Sequence, residues 1–284
     1  MMDRLGENKR GIPTLSGNEL TLYSDTQEVL QAIAADVDRA ESSVLMAFYI
    51  WHEGGTADAV VEAVIRAARR GVRCRLLIDQ LGARPWWRGK QPRRLEEEGV
   101  ELQQALPVGL LRGFVTRNDL RLHRKIVTID GRIGWTGSMN LVDPRFFKQD
   151  AGVGEWIDAM VRVEGNAVLV LGATLIGDWQ RETGEDIRRL IESADLSRAR
   201  GVGQADVQVI PSGPGESSDA LLQMLLGLIN GARRELILTT PYFVPDDAML
   251  RALRGAAGRG AEVDLIVPAR VDSMLVRYAS RSYY

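Results

Sequence analysis

The residues of this chain best suited to chemistry lie in one short stretch. It runs from Leu122-His123-Arg124-Lys125 through Asp130-Gly131 to Gly137-Ser138-Met139-Asn140. Alternation over residues 121–129 puts His123, Lys125, Val127 and Ile129 on one strand face. Asp130-Gly131 is a strong signal for a two-residue hairpin turn. Such a turn sets Ser138 opposite His123, Thr136 opposite Lys125 and Asn140 opposite Arg121. One sheet face would then gather an imidazole, an ammonium, a hydroxyl and a carboxamide. That set suits a phosphate: lysine supplies charge, serine and asparagine supply donors, and histidine serves as nucleophile or acid near neutral pH. Taken singly, a strand histidine is more often structural, and Asp130 is satisfied as a turn residue. Their aligned parity favours a site.

The elements that must position this stretch are written in a long-period repeat. Ala40-Glu-Ser-Ser-Val44 to Phe48-Tyr49-Ile50-Trp51 resembles Ala232-Arg-Arg-Glu-Leu236 to Pro241-Tyr242-Phe243. Further on, Ala67-Ala-Arg-Arg-Gly71 to Ile78 resembles Ala256-Ala-Gly-Arg-Gly260 to Val267. In each copy a helix ends on a glycine suited to a left-handed cap, Gly71 or Gly260. A strand follows, with Val72, Cys74, Leu76 and Ile78 on one face, or Ala261, Val263, Leu265 and Val267 in the second copy. Between strands lie amphipathic helices stacking Val60, Val64 and Ala67, and then Leu250, Leu253 and Ala257. Strand–helix–strand order implies parallel strands with helical crossovers. The expected class is therefore α/β, with duplicated halves in an α/β/α sandwich related by a pseudo-twofold axis. We divide the chain into an N-terminal segment 1–18, a first half 19–191, a glycine- and proline-rich connector 192–218, and the start of a second half, 219–284.

Composition excludes several functions. One cysteine, Cys74, and two histidines, His52 and His123, rule out an internal disulfide, a thiolate zinc site and a multi-histidine metal centre. No cofactor is expected. His52, in the loop-like Trp51-His52-Glu53-Gly54-Gly55, reads as an exposed loop histidine. A formal net charge of −2 argues against nucleic acid as partner. The longest apolar run, 167–177, falls short of the roughly 20 residues that span a bilayer. Asp3, Arg4, Glu7, Lys9 and Arg10 occupy the place of a signal peptide's apolar stretch. The chain is expected to be soluble or peripheral.

The spacing His123-x-Lys125-x(4)-Asp130-x(6)-Gly137-Ser138-x-Asn140 matches the phospholipase D superfamily signature at every motif position. Phe48-Tyr49-Ile50-Trp51, Thr136 to Arg145, Lys148 to Gly154 and Thr240 to Asp247 resemble bacterial cardiolipin synthases in particular, over about residue 19 to the last. The resemblance implies transfer of a phosphatidyl group between two phosphatidylglycerols, giving cardiolipin and glycerol through a phosphohistidine. Two motifs, one per half, would meet, with one histidine attacking phosphorus and the other protonating the leaving alkoxide. Carried over by position, His123 and Lys125 are the chemical residues, Asp130 completes the catalytic motif in a mainly structural way, and Ser138 and Asn140 bind phosphate. Asp158, in Trp156-Ile157-Asp158, is a candidate for orienting a catalytic histidine. The alternatives are a superfamily phosphodiesterase or nuclease with water as acceptor, or a chain inert as it stands.

The resemblance has one large gap: no histidine follows His123. His123 lies 52 residues after Gly71, and the same interval from Gly260 points to about residue 312, past Tyr284. The expectation is a fragment or truncated frame whose second motif lies in a missing C-terminal part or, less readily, comes from a dimer partner. The two N-terminal membrane helices common in the family also have no counterpart. By resemblance the location is the bacterial inner membrane. Arg84-Pro-Trp86-Trp87-Arg88-Gly-Lys90-Gln-Pro-Arg93-Arg94 pairs tryptophans with cations, as a face on anionic headgroups such as phosphatidylglycerol would. Leu106 to Val115 reads as an apolar loop dipping into the interface.

Overall fold

The computed structural model describes residues 13–107, 121–148, 152, 154–196, 199–213, 219–270, 278–280 and 282–283. These fall into two compact units, one of residues 14–148 and 156–215, the other built mainly on 216–284.

The first unit is an eight-stranded sheet with helices on both faces. In chain order it contains β1 (Leu15–Tyr23), α1 (Thr26–Asp38), β2 (Ser43–Phe48), α2 (Ala57–Arg69), β3 (Arg73–Asp79), the short α3 (Arg84–Trp87) and α4 (Gln91–Glu97). There follow β4 (Glu101–Ala105), β5 (Ile126–Ile129), β6 (Ile133–Gly137), β7 (Met160–Gly165), α5 (Ala167–Thr183), α6 (Ile187–Ser193) and β8 (Ala205–Val207). The strand order is β4-β3-β2-β5-β6-β7-β1-β8. The pairs β2–β3 and β3–β4 are parallel, as their helical crossovers require. The remaining pairs are antiparallel.

Alternation along the strands sorts their side chains between two cores. Val44, Met46, Cys74, Leu76, Ile78, Val127, Ile129 and Trp135 pack with α1 and α2. Leu45, Ala47, Leu77, Ile126 and Val163 pack with α5 on the other face. β2 is consequently buried along its whole length. Burial pushes the Cys74 thiol up to about 12, so it is an inert core group. Polar residues inside this unit act as fasteners. Asp36 on α1 accepts from Trp135 Nε1 at 2.9 Å and from Arg162 Nε at 2.7 Å, tying the helix to β6 and β7. Gly71 takes the left-handed φ of +87° at the end of α2. The segment expected as a connector is partly built into this sheet, since β8 pairs with β1.

The β5–β6 hairpin corrects the expected register. Asp130 and Gly131 take φ of +53° and +62°, and Arg132 N donates to Ile129 O at 2.9 Å, as a two-residue turn would have it. The ladder nevertheless pairs Ile129 with Ile133 and Ile126 with Thr136, one residue off the register such a turn sets. Arg132 is the extra residue, an irregularity like a β-bulge. β5 begins only at Ile126 and β6 ends at Gly137, so His123, Lys125, Ser138 and Asn140 lie beyond the ladder rather than face to face across it.

The second unit contains α7 (Ala220–Gly231), β9 (Glu235–Thr239), α8 (Asp247–Gly258) and β10 (Glu262–Ile266). β9 and β10 are parallel, with Leu236 beside Val263 and Leu238 beside Leu265. Its core gathers Ile229, Phe243, Ala252, Leu253, Ala256 and Ala261. The buried stripe of α8 therefore runs through Met249, Ala252, Leu253 and Ala256, whereas Ala257 is exposed. Asp246 caps the helix through Met249 N, and the stripe at Met249 sets the i, i+3, i+4, i+7 phase.

Candidate active site

The C-terminal ends of β2 and β3 open where the chain enters β5 and leaves β6. In open α/β sheets this is where ligands gather. Lys125 Nζ lies 3.1 Å from His123 Nδ1 and donates to His123 O at 2.8 Å. Lys125 is 5% exposed, whereas His123 lies open to solvent. The Tyr49 ring, one residue past β2, stacks at a tilt on the imidazole with centroids 4.9 Å apart, and Lys125 Nζ stands 5.7 Å from that ring. Partial burial and the Lys125 ammonium push the His123 pKa below the ordinary imidazole value, against the pull of Asp79. Burial lowers Lys125 to about 8, with Asp158 opposing. Near pH 7 the pair is a neutral imidazole beside a cation.

Ser138 and Asn140 follow the end of β6 at Gly137. Ser138 Oγ donates to Asp158 Oδ1 at 2.6 Å and accepts from Ala159 N at 3.1 Å. Asn140 Oδ1 accepts from Ile50 N at 3.0 Å, and the adjoining bridge between Trp51 and Leu141 fixes this strand exit beside β2. What Asn140 can offer an anion is its Nδ2 donors. Asp158 touches Ser138 rather than His123, and its charge favours the protonated Lys125.

Asp130 belongs to the other end of the hairpin, and the expectation grouping it with His123 and Lys125 needs correcting in space. It is 6% exposed, and its carboxylate accepts from Glu41 N, Ser42 N, Ser42 Oγ and Ser43 N at 2.8–2.9 Å. These bonds hold its pKa below the usual carboxylate range despite burial. Seven residues of extended chain, at about 3.3 Å each, separate it from His123. Asp130 anchors the hairpin to the start of β2.

Two other expectations shift. His52 is half-buried, its ring edge-on to Phe147 with centroids 5.2 Å apart, and Phe147 is in turn edge-on to Trp156. Trp86 is 2% exposed, stacks on Trp51 and donates to Gln91 Oε1 at 2.8 Å. It is a core residue, not a bilayer anchor. Trp87 donates to Asp79 O at 3.3 Å and packs against the same core. Arg84, Arg88, Lys90 and Arg93 do lie exposed, while Arg94 pairs with Glu62. Of the expected apolar loop, residues 108–115 lie outside the described residues. Among the described residues no helix is long and apolar enough to cross a membrane, and no cluster of histidine, cysteine and carboxylates could hold a metal ion.

Tyr49 and Asp79 lie outside the signature motif of the sequence, yet both stand at the site. Their signal was positional: each stands at the C-terminal end of a strand in a parallel pair.

Comparison with known proteins points one way. The family described as "Cardiolipin synthase, PLD-like domain" matches residues 33–153 and 225–284. Cardiolipin synthase A of Edwardsiella ictaluri (strain 93-146) is 46% identical over 281 residues, which is 99% of this chain and 58% of that protein. Cardiolipin synthase A of Yersinia pseudotuberculosis serotype O:1b (strain IP 31758) matches with the same identity and coverage, 46%, 99% and 58%. The chain thus spans under two thirds of the length of these relatives. Among solved structures, phosphatidylserine synthase from Haemophilus influenzae Rd KW20 superposes with a TM-score of 0.61 at 13% identity, covering 94% of this chain and 65% of that one. That likeness is one of fold.

Proposed function

This chain belongs to the cardiolipin synthase, phospholipase D-like family, and on that footing we propose that it supplies the first catalytic half of a phosphatidyltransferase. The substrates are two phosphatidylglycerols and the products cardiolipin and glycerol. One observation carries the reading: a largely buried Lys125 whose Nζ lies 3.1 Å from Nδ1 of an exposed His123. Lys125 and the donors of Ser138 and Asn140 hold the phosphodiester anion, and their positive field stabilises the charge that develops on its oxygens.

The imidazole has two uses. As an imidazolium it can donate its Nε2 proton to a leaving alkoxide; in the neutral form Nδ1 accepts from Lys125 and Nε2 carries the proton. When a bound phosphate draws the ammonium away from Nδ1, the proton can move to that nitrogen. Nε2 then holds the lone pair that attacks phosphorus, forming a P–N bond as the P–O bond to glycerol breaks. The hydroxyl of a second phosphatidylglycerol reverses the step, restoring the imidazole and giving cardiolipin. A second histidine takes the complementary role. We place it in sequence beyond these 284 residues, because the relatives extend beyond the stretch matched here, or less readily in a partner copy. The β9–α8–β10 unit is then the start of a second copy of the first half. The anionic inner-membrane surface is approached through Arg84, Arg88, Lys90 and Arg93, and no nucleic acid is involved.

The test is incubation of this chain, and of a form extended to its relatives' length, with headgroup-labelled phosphatidylglycerol. Cardiolipin with released glycerol supports the proposal. Phosphatidic acid without cardiolipin would make water the acceptor and the protein a phosphodiesterase. Absence of both products, and of phosphate trapped on His123, in the extended form would overturn the assignment. Activity confined to that form would mark the 284-residue chain as inert alone.

A further inference from the structure

We propose that Asp79 is a positioning residue for His123, acting on both the main chain that precedes the imidazole and the Tyr49 ring that packs on it. The proposal rests on His123 being the reactive group, as argued above.

Asp79 closes β3 and is completely buried. Its Oδ2 accepts from Leu122 N and from Arg121 Nε, both at 3.1 Å. Arg121 also donates to Leu106 O at 2.6 Å. Residues 121–125 come before the first residue of β5, Ile126. Leu122 is itself buried, and its N–H would lack a partner without this carboxylate. The residue immediately before His123 is thus fixed by a side chain where a strand neighbour would ordinarily serve.

The second route runs through the other oxygen. Asp79 Oδ1 accepts from Leu81 N at 2.9 Å and Gly82 N at 2.8 Å, closing a tight turn. That turn lies directly against Tyr49. A Cβ on Gly82 would come within 2.3 Å of Tyr49 O and 2.6 Å of its ring. The Tyr49 ring in turn lies against both His123 and Lys125. One carboxylate therefore sets the shelf and the segment that rests on it.

Four donors converge on two acceptor oxygens, one of them a guanidinium only 11% exposed. An asparagine offers one acceptor oxygen and an NH2 group, so it must lose one of the two sets of bonds. The charged and titratable groups around the imidazole are Lys125, Tyr49, Asp79 with Arg121 behind it, and Asp158 beyond Lys125.

The experiment uses the two imidazoles of this chain as reporters. Their proton NMR signals are assigned with a His52→Gln variant and titrated in the unaltered chain, Asp79→Asn and Arg121→Gln, while exchange of the Leu122 amide is followed. Asp79→Asn is expected to move the His123 midpoint to lower pH and speed Leu122 exchange at least tenfold. Arg121→Gln, which keeps the bond to Leu122 N, should speed exchange less. In the extended form, Asp79→Asn should lower kcat at least tenfold with KM within about twofold. Should Asp79→Asn not fold, Gly82→Ala and Tyr49→Ala test the shelf: both should shift the His123 signal, and Tyr49→Phe should restore what Tyr49→Ala loses. A folded Asp79→Asn chain with unaltered His123 titration and Leu122 exchange would overturn the proposal, as would unmoved signals in both shelf variants. A wild-type extended protein that turns over no lipid defeats the functional reading instead, and the titration and exchange still decide this one.

Discussion

β2–α2–β3 and β9–α8–β10 share one local design, and their surroundings make them different structures. Both pair parallel strands across an amphipathic helix, and both turn from helix to strand on a left-handed glycine, Gly71 or Gly260. β2 has strands on both sides and helices over both faces, so all six of its residues are buried. β9 pairs only with β10 among the described residues, and its residues alternate between exposed and half-buried. Ile237 and Ile266 stand 53% exposed on the face that α8 does not cover. The loops after the first strands differ likewise: Tyr49 packs on His123, whereas Tyr242 is 48% exposed. A βαβ pattern forms its own strands and helix, but a reactive site needs what the rest of the sheet brings to the strand ends.

That contrast can be broken in several ways. The largest effect should come from His123→Ala, which removes the imidazole packed on Tyr49. Phosphatidyl transfer by the extended form should drop by at least about 10³-fold, with the melting temperature little changed. Next, Leu45→Asp puts a charge in the buried face of β2 and should leave the first unit unfolded, at a cost of about 4 kcal/mol or more. Ile237→Asp, one residue past the position matching Val44, should cost under about 0.5 kcal/mol. Equal costs in denaturant titrations would refute the asymmetry described here.

Asp130→Ala separates the two ends of the hairpin. It should lower stability by about 3 kcal/mol at pH 7 while leaving the His123 titration in place. The sign follows from the depressed pKa of the folded state. The stabilisation is present above the unfolded value near 3.8 and fades as pH falls through the lower folded value. Melting curves of the two proteins should therefore converge in acid.

The pH dependence of turnover is a finer probe. His123 must be neutral to attack, and its pKa lies below 6.5, so the acidic limb should begin under that pH. The alkaline limb should appear at about 8, where Lys125 loses its proton, and Lys125→Arg should move it upward whatever the residual rate. The smallest effect is expected from the basic surface. Replacing Arg84, Arg88, Lys90 and Arg93 with glutamine should weaken sedimentation with phosphatidylglycerol vesicles by about 1 kcal/mol per charge at most, and less at high salt.

Much of the fold was legible in the sequence because short-range patterns carry it. Alternation at Val72, Cys74, Leu76 and Ile78, the glycines at 71 and 260 and the turn at Asp130-Gly131 all depend on a few neighbours, and each has its expected form. Where the reading failed, the deciding contact came from far along the chain. Arg132 adds a residue that shifts the ladder by one, and register depends on what β6 pairs with on both sides. Trp86 looks like an interfacial residue beside its cations, yet Trp51, 35 positions earlier, buries it. His52 lies in a glycine-rich loop, and Phe147 covers it.

By itself the sequence determined the family, the strand and helix periods, and which side chains are candidates to hold and attack a phosphodiester, because residue type and near spacing are one-dimensional quantities. Tertiary structure alone decided how those side chains are used. It sent Asp130 to anchor the start of β2, paired Asp158 with Ser138, and brought Tyr49 and Asp79 to His123 from strands more than 40 residues away. The physical reason is that hydrogen bonds and ring contacts are satisfied in space. A buried donor such as Leu122 N–H takes its partner from whatever carboxylate the sheet order places beside it.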